Sequence, residues 1–174
     1  MAADPVFLDT NVLIYVSRPS APEHGAARRT LGQLEAEGGA LWISQQVLRE
    51  YLAVATRPQA TAPPLPRATA LADIRRFRAS FEIAADNPSV LDRLLQLLAT
   101  HSVAGKQVHD ANVVATVLDH GVHRLLSFKT ADFRPCPFGC SPSMRSLPPL
   151  VPPDKCGLRT ATIAVARSCV RYLS

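Results

Sequence analysis

Long apolar runs are missing from this 174-residue chain: nowhere do about 18 uncharged apolar residues follow one another, the length a membrane-spanning helix needs. The start, "MAADPVF", lacks the basic and then apolar segments of a secretory signal, so a soluble, cytoplasmic protein is expected. Cysteine is absent from residues 1–133; Cys136, Cys140, Cys156 and Cys169 all lie beyond them. With no secretory signal a disulfide framework is not expected, and spacings of four, sixteen and thirteen residues are too loose for the close pairs of a structural zinc site. Phosphate-loop, dinucleotide-binding and serine-hydrolase readings have no anchor, because G-x-x-x-x-G-K-[ST], G-x-G-x-x-G and G-x-S-x-G are all missing. Histidine is sparse as well. His109-Asp110 matches the dipeptide of HD-type phosphohydrolases, but the further histidines of that helical array are lacking. His101, His120 and His123 fall at helix ends or strand starts, where a solvated ring is the usual case.

What is present is a chain long enough for one packed domain, with 47% apolar residues. The net charge of +5 is unevenly placed. Residues 1–133 hold thirteen basic and thirteen acidic side chains, whereas 134–174 hold six basic residues, one acid and seven of the fifteen prolines. Two parts are therefore expected: a neutral folded domain over 1–133 and an atypical Pro/Cys/Arg-rich tail over 134–174. In the tail only "TATIAVARSCVRYL" regains a pattern, and it predicts a terminal helix.

Within the first part, "PVFL" has the continuous apolar character of a strand buried on both faces. Residues 23–37 read as an amphipathic helix stopped by Gly38 and Gly39, and "ALWIS" as a second strand. A helix capped by Ser44 then runs to Arg57-Pro58, and a proline-rich loop leads to another helix over about 67–79. "SFEIA" predicts a third strand, 89–101 and "HDANVVATVLDHG" two more helices, and "HRLLSF" a fourth strand. Alternation at these lengths predicts an α/β/α sandwich with a central, mostly parallel sheet.

Three acids stand out against that frame. Asp9 ends the first strand, where open α/β sheets place their ligand crevice, although Asp-Thr-Asn also suits a helix cap. Glu50 shares a helical stripe with Val47 and Val54 and so faces the interior, unless it sits at the stripe's edge and reaches water or Arg57. Asp110 starts a helix with Val113, Val114 and Val117 at the offsets of one buried face, where the helix dipole also favours an acid. A buried carboxylate needs protonation, a cationic partner or a metal. Hard oxygen ligands without a set of His or Cys favour Mg2+ or Mn2+ over zinc.

"FLDTNVLIY", Glu50 within "LREYLAVA", and "GKQVHDANVVATVLDHGVHRLLSFKTADF", in this order over residues 5–133, resemble the PIN domain, most closely the VapC-type toxins of bacterial toxin-antitoxin pairs. The resemblance implies a PIN-like fold and a Mg2+-dependent endoribonuclease held in check by an antitoxin. It places the metal-binding and catalytic acids on Asp9, Glu50 and Asp110, with Asn11 and Ser127 in supporting positions. The family's usual Asn or Asp after the fourth strand is Lys129 here. Asp132 is then the candidate fourth metal ligand, or else a turn residue. Lys129 contacts a substrate phosphate, replaces the charge of a second metal, or disables the site. The resemblance also implies a homodimer, and an antitoxin laid across the helices at about 44–57 and 67–79. Arg75, Arg76 and Arg78 are either RNA contacts or a solvated helix face. The rival reading is a catalytically weak or inactive module that binds RNA or an antitoxin.

Overall fold

The structure is a computed structural model that describes residues 4–58, 62–128 and 161–164. Eleven elements are described in it: β1 (Val6–Leu8), α1 (Thr10–Ser17), α2 (His24–Ala36), β2 (Leu41–Ser44), α3 (Gln45–Ala55), α4 (Arg67–Ser80), β3 (Glu82–Ala84), α5 (Pro88–Thr100), α6 (Gln107–Asp119), β4 (Arg124–Ser127) and β5 (Ala161–Ala164). The strands lie in the order β3-β2-β1-β4-β5; the first four run parallel, and β5 pairs antiparallel to β4. Helices flank this sheet, with α1 packed on α2 and α3, and α5 on α6. The architecture is the PIN-like α/β/α sandwich.

The central strand explains itself. Val6, Phe7 and Leu8 are all buried, so β1 needs apolar side chains on both faces. Its neighbours β2 and β4 pair with it in register through Phe7↔Trp42 and Phe7↔Leu125. The predicted helix boundaries hold to within a residue or two. Ser44 caps α3 by accepting from the Val47 N–H at 3.2 Å. Gly38 and Gly121 close α2 and α6 at φ +74° and +66°, left-handed values that a Cβ would oppose.

Two segments differ from expectation. Helix α1 went unread because its eight residues include Thr10, Val12, Ile14 and Val16, β-branched side chains whose alternation suits a strand. Asp9 starts the helix regardless: its Oδ1 accepts from the Thr10 N–H at 2.6 Å. In the tail, Ala161–Ala164 is a strand rather than part of a terminal helix. Thr160, Thr162, Ile163 and Val165 are β-branched, and β4 offers a free edge for them to pair along. The closing strand that the tail's composition hid is therefore present. Removal of residues 140–174 is expected to bare the β4 edge, lower the melting temperature and promote association between chains. An unchanged melting curve would mean that β5 adds nothing to the fold.

One buried polar pair ties α3 to α4. Tyr51 is fully buried and donates its hydroxyl to Asp73 Oδ2 at 2.5 Å, while Arg76 reaches Asp73 Oδ1 at 2.8 Å. Burial first, and then the bond to Asp73, push the Tyr51 hydroxyl far above its ordinary range. The sign follows: this contribution to stability is complete below about pH 10, where an exposed tyrosine begins to ionise, and is lost as pH rises further. Tyr51→Phe leaves the Asp73 carboxylate with one donor fewer in a buried place. A loss of about 1–3 kcal/mol in urea unfolding is expected. No measurable loss would show that Arg76 alone satisfies the acid.

Candidate active site

At the carboxyl ends of β1 and β4 the surface opens into a cleft of about 460 Å³, with Asp9, Glu50 and Asp110 all in its lining. Three separate elements deliver them. Asp9 stands between β1 and α1, Glu50 in the middle of α3, and Asp110 in the first turn of α6. Crossover helices return each following strand in parallel, so strand ends and helix starts collect at one rim of the sheet.

Asp9 is held by its neighbours. Its backbone N–H donates to the Leu126 carbonyl at 3.0 Å, which extends the β1–β4 ladder to the site. The Ser127 hydroxyl donates to Asp9 Oδ2 at 2.7 Å, and the Asn11 side-chain amide donates to the same oxygen. Asn11 Nδ2 also donates to Ser127 Oγ at 2.9 Å, and its Oδ1 accepts from the Phe128 N–H at 3.0 Å. The cap and the site residue are thus one side chain.

Glu50 is half-buried and does not pair with Arg57. Its Oε2 accepts from the Thr10 hydroxyl at 2.8 Å, and its Oε1 from Gln46 Nε2 at 2.7 Å. Gln46 is buried and fully occupied: Nε2 also donates to the His109 carbonyl at 3.0 Å, and Oε1 accepts from Asn112 Nδ2 at 2.5 Å. This amide links α3 to the first turns of α6, which carries Asp110. His109 itself is an exposed ring at the rim, its Nδ1 3.9 Å from Glu50 Oε1, beyond hydrogen-bond range. Val113, Val114 and Val117 are buried, as the spacing after Asp110 predicts.

Residue patterns alone missed Thr10, Gln46 and Asn112. Gln46 left a signal, a second polar residue one helical turn before Glu50 and so over the same face. Lys129 and Asp132 lie outside the described residues. Arg76 is engaged with Asp73 and also lies over the Phe77 ring at 5.6 Å.

Four acids, Asp9, Glu23, Glu50 and Asp110, line the cleft together with Arg18. The Tyr15 hydroxyl, which lines it, is raised above its ordinary range by burial first, then by the charges of Glu23 and Asp9. Among the described residues no three Asp, Glu, His or Cys side chains stand close enough together to enclose an ion. Asp9 and Glu50 are turned instead into their bonds with Thr10, Asn11, Ser127 and Gln46. A carboxylate has about four acceptor positions, so these bonds leave room for a ligand. The donors are hard oxygens, which fits Mg2+ or Mn2+ rather than zinc. Among the described residues no helix is long and apolar enough to cross a membrane.

Comparison with known proteins agrees with this picture. The PIN domain family model matches residues 6–134. Ribonuclease VapC24 of Mycobacterium tuberculosis strain H37Rv is 31% identical over 117 residues, 66% of this chain and 79% of that protein. Among solved structures, VapC20 of M. tuberculosis, described as a Sarcin-Ricin loop cleaving toxin, superposes with a TM-score of 0.52 at 18% identity over 68% of this chain and 85% of that one. VapBC2 of Rickettsia felis, bound to a promoter DNA fragment, gives 0.56 at 15% identity over 74% and 90%. At such identities the superpositions speak for the fold alone. A family model spanning most of the chain and a relative matched over most of its own length speak for ancestry: this protein belongs to the PIN-domain family, among the VapC-type ribonucleases.

Proposed function

We propose that this protein is a Mg2+-dependent endoribonuclease of the cytoplasm, the toxin of a toxin-antitoxin pair, with Asp9, Glu50 and Asp110 as its catalytic and metal-holding acids. The observation that carries this reading is the convergence of those acids, from β1, α3 and α6, on one cleft. Acids lining one cleft favour a cation there, and the relatives named ribonuclease point to RNA as the polyanion that meets it. When bound, the divalent ion supplies a water of lowered pKa and a clamp on phosphate oxygens.

The chain's own groups do the rest. Asp9 is held by Thr10, Asn11 and Ser127, which limits how far its carboxylate moves on taking up the ion. Glu50, steadied between Thr10 and Gln46, is placed to orient the attacking water and accept its proton. Asp110, in the first turn of α6, is the third acid of the proposed set. Asp132 and Lys129 belong to the same proposal, as a fourth ligand and a phosphate contact. The nuclease domain is proposed over residues 1–133, with 134–174 as an atypical tail whose β5 joins the domain's sheet.

The partner of this reading is an antitoxin. VapBC2 and FitAcB of Neisseria gonorrhoeae, whose structure superposes with a TM-score of 0.51, are similar to this chain at 15% and 17% identity. Basic antitoxin side chains entering the acidic cleft would compete with the metal. A homodimer is the proposed form of the free toxin.

The test is cleavage of a structured RNA by the purified protein in Mg2+, in EDTA, and in EDTA followed by excess Mn2+. Cutting in the first and third and silence in the second is expected. Equal cutting in all three would refute the metal-dependent mechanism. RNA binding without cutting in any would make the protein the inactive module instead.

A further inference from the structure

The acids occupy only part of the cleft. Its volume of about 460 Å³ falls in the range of a small-molecule pocket, roughly 300–1,000 Å³. Beyond Asp9 and Glu50 the lining turns apolar, with Ile14, Tyr15, Ala21, Pro22, Val54 and Ala62. A metal ion and a phosphate have no use for such a wall. A nucleobase does, because every base has an apolar face to stack.

We propose that this apolar half is a nucleobase subsite, with Tyr15 as the stacking platform for the base next to the scissile phosphate. The proposal rests on the ribonuclease reading and adds a specificity residue to it. Tyr15 is half-buried and rigidly placed. Its ring meets the Phe128 ring edge-on at 5.5 Å and 88°, and Phe128 is anchored by the hydrogen bond of its N–H to Asn11. Its carbonyl is bonded to His24 Nδ1 at 2.8 Å, which ties α1 to the start of α2. Asn11 therefore braces both halves, touching Asp9 on one side and the support of Tyr15 on the other.

Charge selects the same occupant. Glu23 lines the cleft together with Ala21 and Pro22, and its carboxylate disfavours a phosphate there. A neutral base carrying amino donors meets no such penalty. The far wall is held by Arg18, buried at 5% exposure, which donates to the Ala55 carbonyl at 3.0 Å and the Pro63 carbonyl at 3.2 Å. The guanidinium thus ties Pro63, the neighbour of Ala62, to the end of α3.

The experiment is an abasic walk. Fluorescein-labelled single-stranded RNA octamers, each lacking one base, are titrated by anisotropy against the full-length protein with Ca2+ in place of Mg2+, RNA integrity being checked on gels. One position is expected to lose about tenfold in affinity, the scale of one base stacked on an aromatic ring. Tyr15→Ala should bind intact RNA about tenfold more weakly and ignore that position, while Tyr15→Phe and Tyr15→Trp retain the parent profile. In Mg2+ the alanine variant should raise KM about tenfold with kcat within about threefold of the parent. A flat profile in the parent protein overturns the subsite even where cleavage is normal, and so does an alanine variant that keeps the sensitivity. A position-sensitive profile without cleavage supports the subsite and strikes only the nuclease reading.

Discussion

Asp9→Asn protein is expected to fold as the parent does and to cleave RNA about a thousandfold more slowly, the scale on which one preorganised charged contact acts in a transition state. Asn has nearly the same shape and keeps an oxygen for the Thr10 N–H, so the start of α1 survives. What disappears is the negative charge, and with it one of the proposed anchors of the cation. The new amide group also stands where Asp9 Oδ2 accepts from both Asn11 and Ser127, so both lose that acceptor and only the Ser127 oxygen, which already accepts from Asn11, remains between them. Ser127 can relieve this by rotating its hydroxyl, so the melting temperature is expected within about 5 °C of the parent. Asp110→Asn should match it in rate if, as proposed, the two acids hold the same ion. Cleavage kinetics and circular dichroism melting check both proteins. Activity within tenfold of the parent, in a protein of normal stability, would remove Asp9 from the chemistry.

Gln46→Leu carries the second large effect. Leucine fills similar space in the interior but returns none of the three bonds. Glu50 Oε1 loses its donor, the His109 carbonyl loses its own, and Asn112 loses its acceptor. Glu50 being a proposed metal ligand, and groups that orient such ligands typically contributing 10–100-fold to metal affinity or activity, a loss near the upper end, about a hundredfold, is expected because two elements are uncoupled at once. Mn2+ titration followed by electron paramagnetic resonance reads the metal affinity without reference to cleavage. Asn112→Leu should produce part of the same loss, and the double variant less than the sum of the two, as coupled residues do. Additive effects would show that Gln46 and Asn112 act separately.

Much of the sandwich was legible because it is driven by burial. "PVFL", "LWIS" and "RLLS" are strands that lie inside the sheet, and their apolar runs say so without help from the rest of the chain. The helices α2 to α6 were legible from stripes and stops such as Ser44 and Gly121. The elements that were not legible are those whose local pattern competes with their tertiary place. Helix α1 is β-branched and short, and it is helical because Asp9 caps it and α2 and α3 cover it. Strand β5 follows a proline-rich stretch, and only the open edge of β4 decides its form.

The site shows the same division. Asp9, Glu50 and Asp110 could be found from acids on apolar stripes. Which polar groups steady them could not. Arg57 was as plausible a partner for Glu50 as any until α1 brought Thr10 to it from forty residues away. Gln46 and Asn112 lie 66 residues apart, and nothing local relates them.

The hydrogen bond between Ser127 and Asp9 spans 118 residues, and β1 pairs directly with β4. During translation, therefore, the first strand leaves the ribosome long before the neighbour that finishes its pocket. Helices α1 to α5 can form on the nascent polypeptide while Asp9 still lacks Ser127, Phe128 has not arrived to hold Asn11, and α6 with Asp110 is yet to follow. A chain stalled partway carries no assembled cutting centre. The topology thus delays completion of the cleft until β4 has been made.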